Sequence, residues 1–241
     1  MNKKKIVIFS GAGIDKESGI PTFRDSDDSL WVKYDVDKVA SIEGWKQDRE
    51  AVLDFHNEVR REMKKCKANK AHKIIGKLED KFDVTIVTQN ISNLHEEGGS
   101  TNVLHIHGSI DKTKSSLTGE YHADLRDDED VKIGDKCEQG SQLRHGTVLF
   151  GDPLPEQEVK SSLKAIKEAD ILVIIGTSLQ VYPAAGMIAE FQGEHIYVVD
   201  PGEVYLAPAD GRTFIVEPAT KGMKYLYDRL LKEEKLEPTN N

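Results

Sequence analysis

Cysteine is nearly absent from this chain: Cys66 and Cys137, far apart, are the two in 241 residues. That excludes a disulfide scaffold and, with no export signal expected, points to a reducing cytoplasm. Long apolar runs are missing as well, so no stretch reaches membrane-spanning length. The opening Met1-Asn2-Lys3-Lys4-Lys5 leads into only four strongly apolar residues, too few for the core of a secretory signal. A surplus of positive charge is also lacking, because 33 Lys and Arg face 42 Asp and Glu for a net charge of -9. The balance argues against nucleic acid or an anionic membrane as partner and tolerates basic, lysine-bearing segments. There are no internal repeats, and the one low-complexity stretch is the polar tail 234–241, expected to fray. The length is enough for a large core with a smaller appendage.

Short apolar runs at 5–9, 84–88, 171–175 and 196–199 are rich in β-branched residues and read as strands buried on both faces. Helix-like stretches lie between them. The alternation predicts an α/β fold, Rossmann-like, with a mostly parallel sheet covered by helices on both faces. Ligands in such sheets bind at the carboxyl ends of the strands. The first run ends abruptly in Ser10-Gly11-Ala12-Gly13, where glycines allow close backbone approach and a following helix aims N–H groups at an anion. The fingerprint G-x-G-x-x-G needs glycine where Lys16 stands, and Pro21 stops a helix from running through it. A short helix and then an extended loop are therefore expected. Taken alone, these glycines are equally a tight strand-to-helix turn without a ligand.

Longer blocks carry more. Gly11-Ala12-Gly13-Ile14, Ser18-Gly19-Ile20-Pro21 and Phe23-Arg24 form the first. Gln89-Asn90-Ile91-Ser92-Asn93-Leu94-His95 follows the second strand; its amides suit ribose hydroxyls or a water, and equally a simple turn. Val103-Leu104-His105-Ile106-His107-Gly108-Ser109 places a histidine before a glycine, where a pKa near working pH suits a base. The fourth, from Gly146 to Pro155, reads as an edge strand closed by a proline turn. The last runs from Gly176-Thr177-Ser178 through Val181 to Ala185 and sets small hydroxyl residues before a Pro-started helix, a second phosphate or ribose cradle. In this order, from about Ile6 to Leu230, the blocks resemble the sirtuins, NAD-dependent protein deacylases.

The resemblance implies NAD as cofactor and acylated lysine in a protein or peptide as partner. It assigns NAD contacts to Gly11, Ala12, Gly13, Ile14, Phe23, Arg24, Gln89, Asn90, Ile91, Ser92, Gly176, Thr177, Ser178, Asp200 and Ala219. Asn90 and His107 are the implied catalytic residues, with His107 as general base. The implied reaction moves the acyl group to ADP-ribose and releases nicotinamide and free lysine. His56, Val148, Phe150, Gly151 and Val181 fall at substrate positions, the segment at 148–151 pairing by backbone with an extended peptide. NAD hydrolysis, ADP-ribosyl transfer and a non-catalytic NAD or ADP-ribose sensor are the alternatives.

Several positions depart from the pattern. Ser92 stands where the family has an Asp associated with the nicotinamide pocket, and Asp200 stands where Asn is usual. On the helix expected at 48–65, a Tyr and an Arg that read acidic acyl groups correspond to His56 and Val59, with Arg60 about 100° out of phase. A strong succinyl preference is not expected; small or aliphatic acyl groups are. Sirtuins usually carry two C-x-x-C pairs for a structural zinc, whereas 110–145 holds Cys137 alone, with Gly140 at its partner position and His122 and His145 as scattered candidates. The expectation is a metal-free small helical module at 25–66 and 110–145, and an NAD-binding domain at 1–24, 67–109 and 146–233.

Overall fold

The computed structural model describes residues 3–22 and 34–236. Phe23 and Arg24, expected at the cofactor, lie outside the described residues. In chain order the strands are β1 (Lys5–Ser10), β2 (Asp83–Thr88), β3 (Val103–His105), β4 (Gly108–Ser115), β5 (Tyr121–Asp124), β6 (Leu143–Thr147), β7 (Ile171–Ile175), β8 (His195–Val199) and β9 (Arg212–Ile215). Six of them form one sheet in the order β3-β2-β1-β7-β8-β9, and every pairing in it is parallel. The four runs expected as strands are β1, β2, β7 and β8. The edge strand β9 was not foreseen, because Arg-Thr-Phe-Ile carries no apolar run and its Phe214 remains 37% exposed.

The apolar runs are continuous because both sheet faces are covered. Ile6 and Ile8 of β1, with Ile86 and Val173, meet Ala71, Ile75 and Leu78 of one helix (Lys70–Leu78) and Met223, Leu226 and Leu230 of the last (Ala219–Leu236). Val7 and Phe9 point the other way, with Leu172 and Ile174, onto Ile166 of the helix Glu156–Glu168 and onto Ala184 and Met187. Each Val, Leu, Ile, Phe or Met among them, fully buried, contributes about 1.5–3 kcal/mol. After β1 the chain winds outward through β2 and β3, and from β7 it winds the opposite way. The reversal leaves a crevice at the carboxyl ends of β1 and β7.

Other described segments form a second layer. The helix Arg49–Met63, capped by the Asp48 side chain on the Ala51 N–H, matches the span expected at 48–65. The stretch 110–145 is not helical: β5-β4-β6 is an antiparallel sheet. Its strands are short, polar and interrupted by turns, so no helical or strand period was legible. Trp45, Val52, Leu53, Val131 and Leu149 fill the space between helices and sheet. Arg60 is 2% exposed; it donates to Asp111 and to the carbonyls of Leu125, Arg126 and Glu129, locking the outer loop to the helix.

Candidate active site

Two strand-end turns meet at the crevice. Gly11 donates its N–H to the carbonyl of Ile175 (3.0 Å), and Gly13 donates to that of Gly176 (2.8 Å). Their contact is backbone on backbone. A Cβ on Gly13 would lie 2.7 Å from the Gly176 Cα, and one on Gly176, which has φ +62°, would lie 2.3 Å from the Ile14 nitrogen. Side chains are excluded here, which is the cradle a pyrophosphate needs. In place of the expected helix the chain makes two 3-10 turns, Ala12–Ile14 and Lys16–Ser18, and turns at Gly19 (φ +95°), since Pro21 bars continuation. Glu17 accepts the N–H and hydroxyl of Thr220 (2.9 and 2.7 Å), pinning this loop to the last helix, where Ala219 is buried.

The loop after β2 joins the same crevice. Asn90 Nδ2 donates to the Gly11 carbonyl (3.1 Å), and Gln89 Nε2 donates to Thr177 Oγ1 (3.1 Å). His107 lies 3.0 Å, through Nδ1, from the carbonyl of Gln89. A carbonyl only accepts, so Nδ1 carries the hydrogen and Nε2 is left as the basic nitrogen. Burial lowers the His107 pKa, against the opposing pull of that carbonyl, and so favours the neutral form a base requires. Asn90, Gln89, Gly11, Gly13, Gly176, Thr177 and His107 are thus brought into one hydrogen-bonded cluster.

His105 was not singled out from the sequence, yet it repeats the arrangement. Its Nδ1 lies 3.0 Å from the Asn90 carbonyl and its Nε2 lies 2.9 Å from Glu96 Oε1. Both nitrogens face acceptors, so both carry hydrogens. Burial alone would lower its pKa; the hydrogen bond and charge of Glu96 outweigh it and raise it. The spacing His-Ile-His was the available signal, since it sets a second imidazole at the end of β3, two residues before His107.

Other expected residues are placed differently. The Ile14 side chain is fully buried in the core, its N–H bonded to Gly11 and its carbonyl to Asn69, so it supports the turn from beneath. Ile91 packs against Val39, Phe55 and Val59. His56 is 6% exposed; its ring stacks on His145 at 5.6 Å and its Nδ1 bonds the Val52 carbonyl (2.8 Å), so it is a packed residue inside the second layer and not a rim residue. Val148 and Phe150 already donate their N–H groups to His107 and Ala40, and the Phe150 carbonyl accepts from Ile42, so backbone pairing there is partly satisfied within the fold. Gly151 continues that rim, and the Phe150 and Val181 side chains are 55% and 48% exposed. Ser178 accepts the N–H of Tyr205, and Asp200, at the end of β8, accepts that of Gly202 (2.7 Å).

A structural zinc does not fit this chain. Ser115 Oγ lies 2.9 Å from Ser141 Oγ and accepts the N–H groups of Leu117 and Thr118, while the turn at Cys137 closes through Ser141 and Gly140 backbone bonds. Hydroxyls and main chain hold together what thiolates would otherwise gather. Among the described residues no three His, Cys, Asp or Glu side chains converge as a metal site. Incubation with a strong chelator is expected to leave the melting temperature unchanged; a stoichiometric zinc content in the purified protein, lost together with stability on chelation, would contradict this.

Loops from β1, β2 and β7 meeting at a switch point, with the His107 imidazole among them, define a dinucleotide-binding α/β protein. Residues 11–183 match the Sir2 family model. The chain is 40% identical over 233 residues to an NAD-dependent protein deacylase of Bacteroides thetaiotaomicron, covering 95% of this chain and 98% of that one. It is 41% identical over 229 residues to an NAD-dependent protein deacylase of Helicobacter pylori, with 95% and 98% covered. A crystal structure of a Sir2 homologue–NAD complex superposes with a TM-score of 0.83 at 31% identity, over 96% of this chain and 91% of that one. The chain belongs to the Sir2 family, the sirtuins.

Proposed function

We propose that this protein is an NAD-dependent lysine deacylase, acting on acylated lysine in a protein or peptide and passing the acyl group to ADP-ribose. The observation that carries the reading is the neutral imidazole of His107, bonded to the same loop whose amides reach Gly11 and Thr177. Bound NAD supplies the glycosidic bond whose cleavage releases nicotinamide. The glycine turns at 11–13 and 176 offer the pyrophosphate a surface without side chains. Asn90, held by the Gly11 carbonyl, and Gln89, held by Thr177, present amides that bind hydroxyls without adding charge. His107 accepts a proton at Nε2 from the ribose hydroxyl system. Phe150 and Val181, exposed and apolar, suit the methylene stem of the lysine.

The acyl group is small or aliphatic on this reading. Val59 is buried among Val39 and Phe55, and the Arg60 guanidinium is fully engaged by Asp111 and three carbonyls, so neither offers a charge to an acidic acyl chain. On this reading the parallel sheet with its helices is the NAD-binding domain, the described parts of 25–66 together with 110–145 are the smaller module, and the net charge of -9 favours a protein substrate over nucleic acid. Two free cysteines suit a cytoplasmic setting. Mass spectrometry of products formed from NAD and a panel of acyl-lysine peptides tests the reading. The expected product is an acylated ADP-ribose, formed only with peptide; rapid nicotinamide release from NAD alone would overturn it.

A further inference from the structure

The missing carboxylate at position 92 has a counterpart across the crevice. Asp15, 2% exposed, ends the first 3-10 turn directly after Gly13-Ile14. Its Oδ2 accepts the hydroxyl of Ser92 at 2.7 Å, and its Oδ1 lies 3.0 Å from His72 Nε2. His72 Nδ1 accepts the N–H of Asn69 in a helix-capping box. That fixes the tautomer: Nε2 carries the hydrogen, and the imidazole is a donor to Asp15 in its neutral form. Asp15 therefore holds a carboxylate between two donors, with no Lys or Arg ion pair to it among the described residues.

A buried carboxylate without a cation is costly, and two neutral hydrogen bonds offset only part of that cost. It lies beside residue 92, the position at which the resemblance expects the charge of the nicotinamide pocket. The nicotinamide ring of NAD is itself a cation, a pyridinium. We propose that Asp15 and Ser92 have exchanged roles relative to the family pattern, so that Asp15 supplies the negative charge of the nicotinamide subsite, with Ser92 and His72 as the donors that orient it. Asp15 is on this account a positioning residue: it biases where the ring sits and returns. The proposal rests on the deacylase reading and names the residue that lets Ser92 stand there without loss of nicotinamide handling.

Reciprocal substitution tests it. Labelled nicotinamide is exchanged into NAD in the presence of acyl-lysine peptide, a step in which the returning ring nitrogen bonds C1′ as the bond from C1′ to the acyl oxygen breaks. Removing a hydrogen-bonded charge is expected to lower exchange about ten- to hundredfold in Asp15→Ser. In Ser92→Asp two carboxylates share one site, and the pH profile of exchange shifts upward as one of them holds a proton. The double variant Asp15→Ser/Ser92→Asp returns exchange to near the parent level, a coupling that independent structural damage does not produce. Melting temperatures accompany each measurement, and if Asp15→Ser does not fold the double variant decides. Exchange unchanged in a folded Asp15→Ser, or a folded double variant without recovery, would overturn the exchange of roles. A parent protein that neither deacylates nor exchanges would instead remove the deacylase reading.

Discussion

His107→Ala is expected to lower kcat/KM for deacylation by about 10²–10⁴-fold, the range for losing a positioned general base, with NAD binding retained. The imidazole reaches the crevice through the Gln89 carbonyl and takes no part in the cradle formed by Gly11, Gly13 and Gly176. Truncation therefore removes the proton acceptor and leaves the dinucleotide surface standing. Its lowered pKa adds a pH signature: activity needs the neutral ring, so it falls on the acid side, at a pH below the usual histidine midpoint. NAD binding followed by protein fluorescence separates the two effects. A variant that turns over normally would take His107 out of the reaction.

Acidification is expected to destabilise the fold steeply between about pH 6.5 and pH 4. Burial holds His56 down to about 4, with Arg144 and Lys114 adding to the effect and the Val52 carbonyl opposing it. His95 and His145 are held well below the ordinary value, again first by burial, to which neighbouring imidazoles add at His95 and the side chains of His56, Arg60 and Arg144 add at His145. The folded pKa values lie beneath the unfolded ones, so the unfolded chain takes up protons first. Stability is complete above the unfolded value and declines as pH falls toward the folded one. For His56 alone the loss approaches roughly 3 kcal/mol at the acid end, a large share of a typical domain's stability. His105 works in the opposite sense: paired with Glu96, it gives its support below the unfolded value and loses it as pH rises through its raised pKa. Urea midpoints measured from pH 7.5 down to 5 are expected to fall. In His145→Leu the fall is shallower, because one group that takes up its proton on unfolding is gone, and among the described residues neither ring nitrogen of His145 has a hydrogen-bond partner to lose. An unchanged midpoint across that window would show these rings to be solvated.

Legibility in the sequence tracked the range of the interaction. The β1 run and the glycines after it declare themselves locally, because a strand buried on both faces must be continuously apolar and a backbone-to-backbone crossing admits no Cβ. The blocks carrying Asn90 and His107 were likewise readable, since each residue sits at a strand end. The surroundings of His56 were not legible, for the opposite reason. Its helix was foreseen, but its facing partner, His145, comes from a strand of the second layer that has no apolar period to announce it.

By itself, then, the order of residues determined the parallel sheet, the glycine turns at its strand ends and the family to which they belong, all of them consequences of periodicity and of residues adjacent along the chain. Only tertiary structure decided that Ser92 meets Asp15 across 77 positions and that His72 meets the same carboxylate across 57. The hydroxyl contact of Ser115 with Ser141 in the second layer belongs to the same class. A hydrogen bond between distant side chains leaves no local pattern, because its geometry exists only once the sheet has brought the loops to one edge.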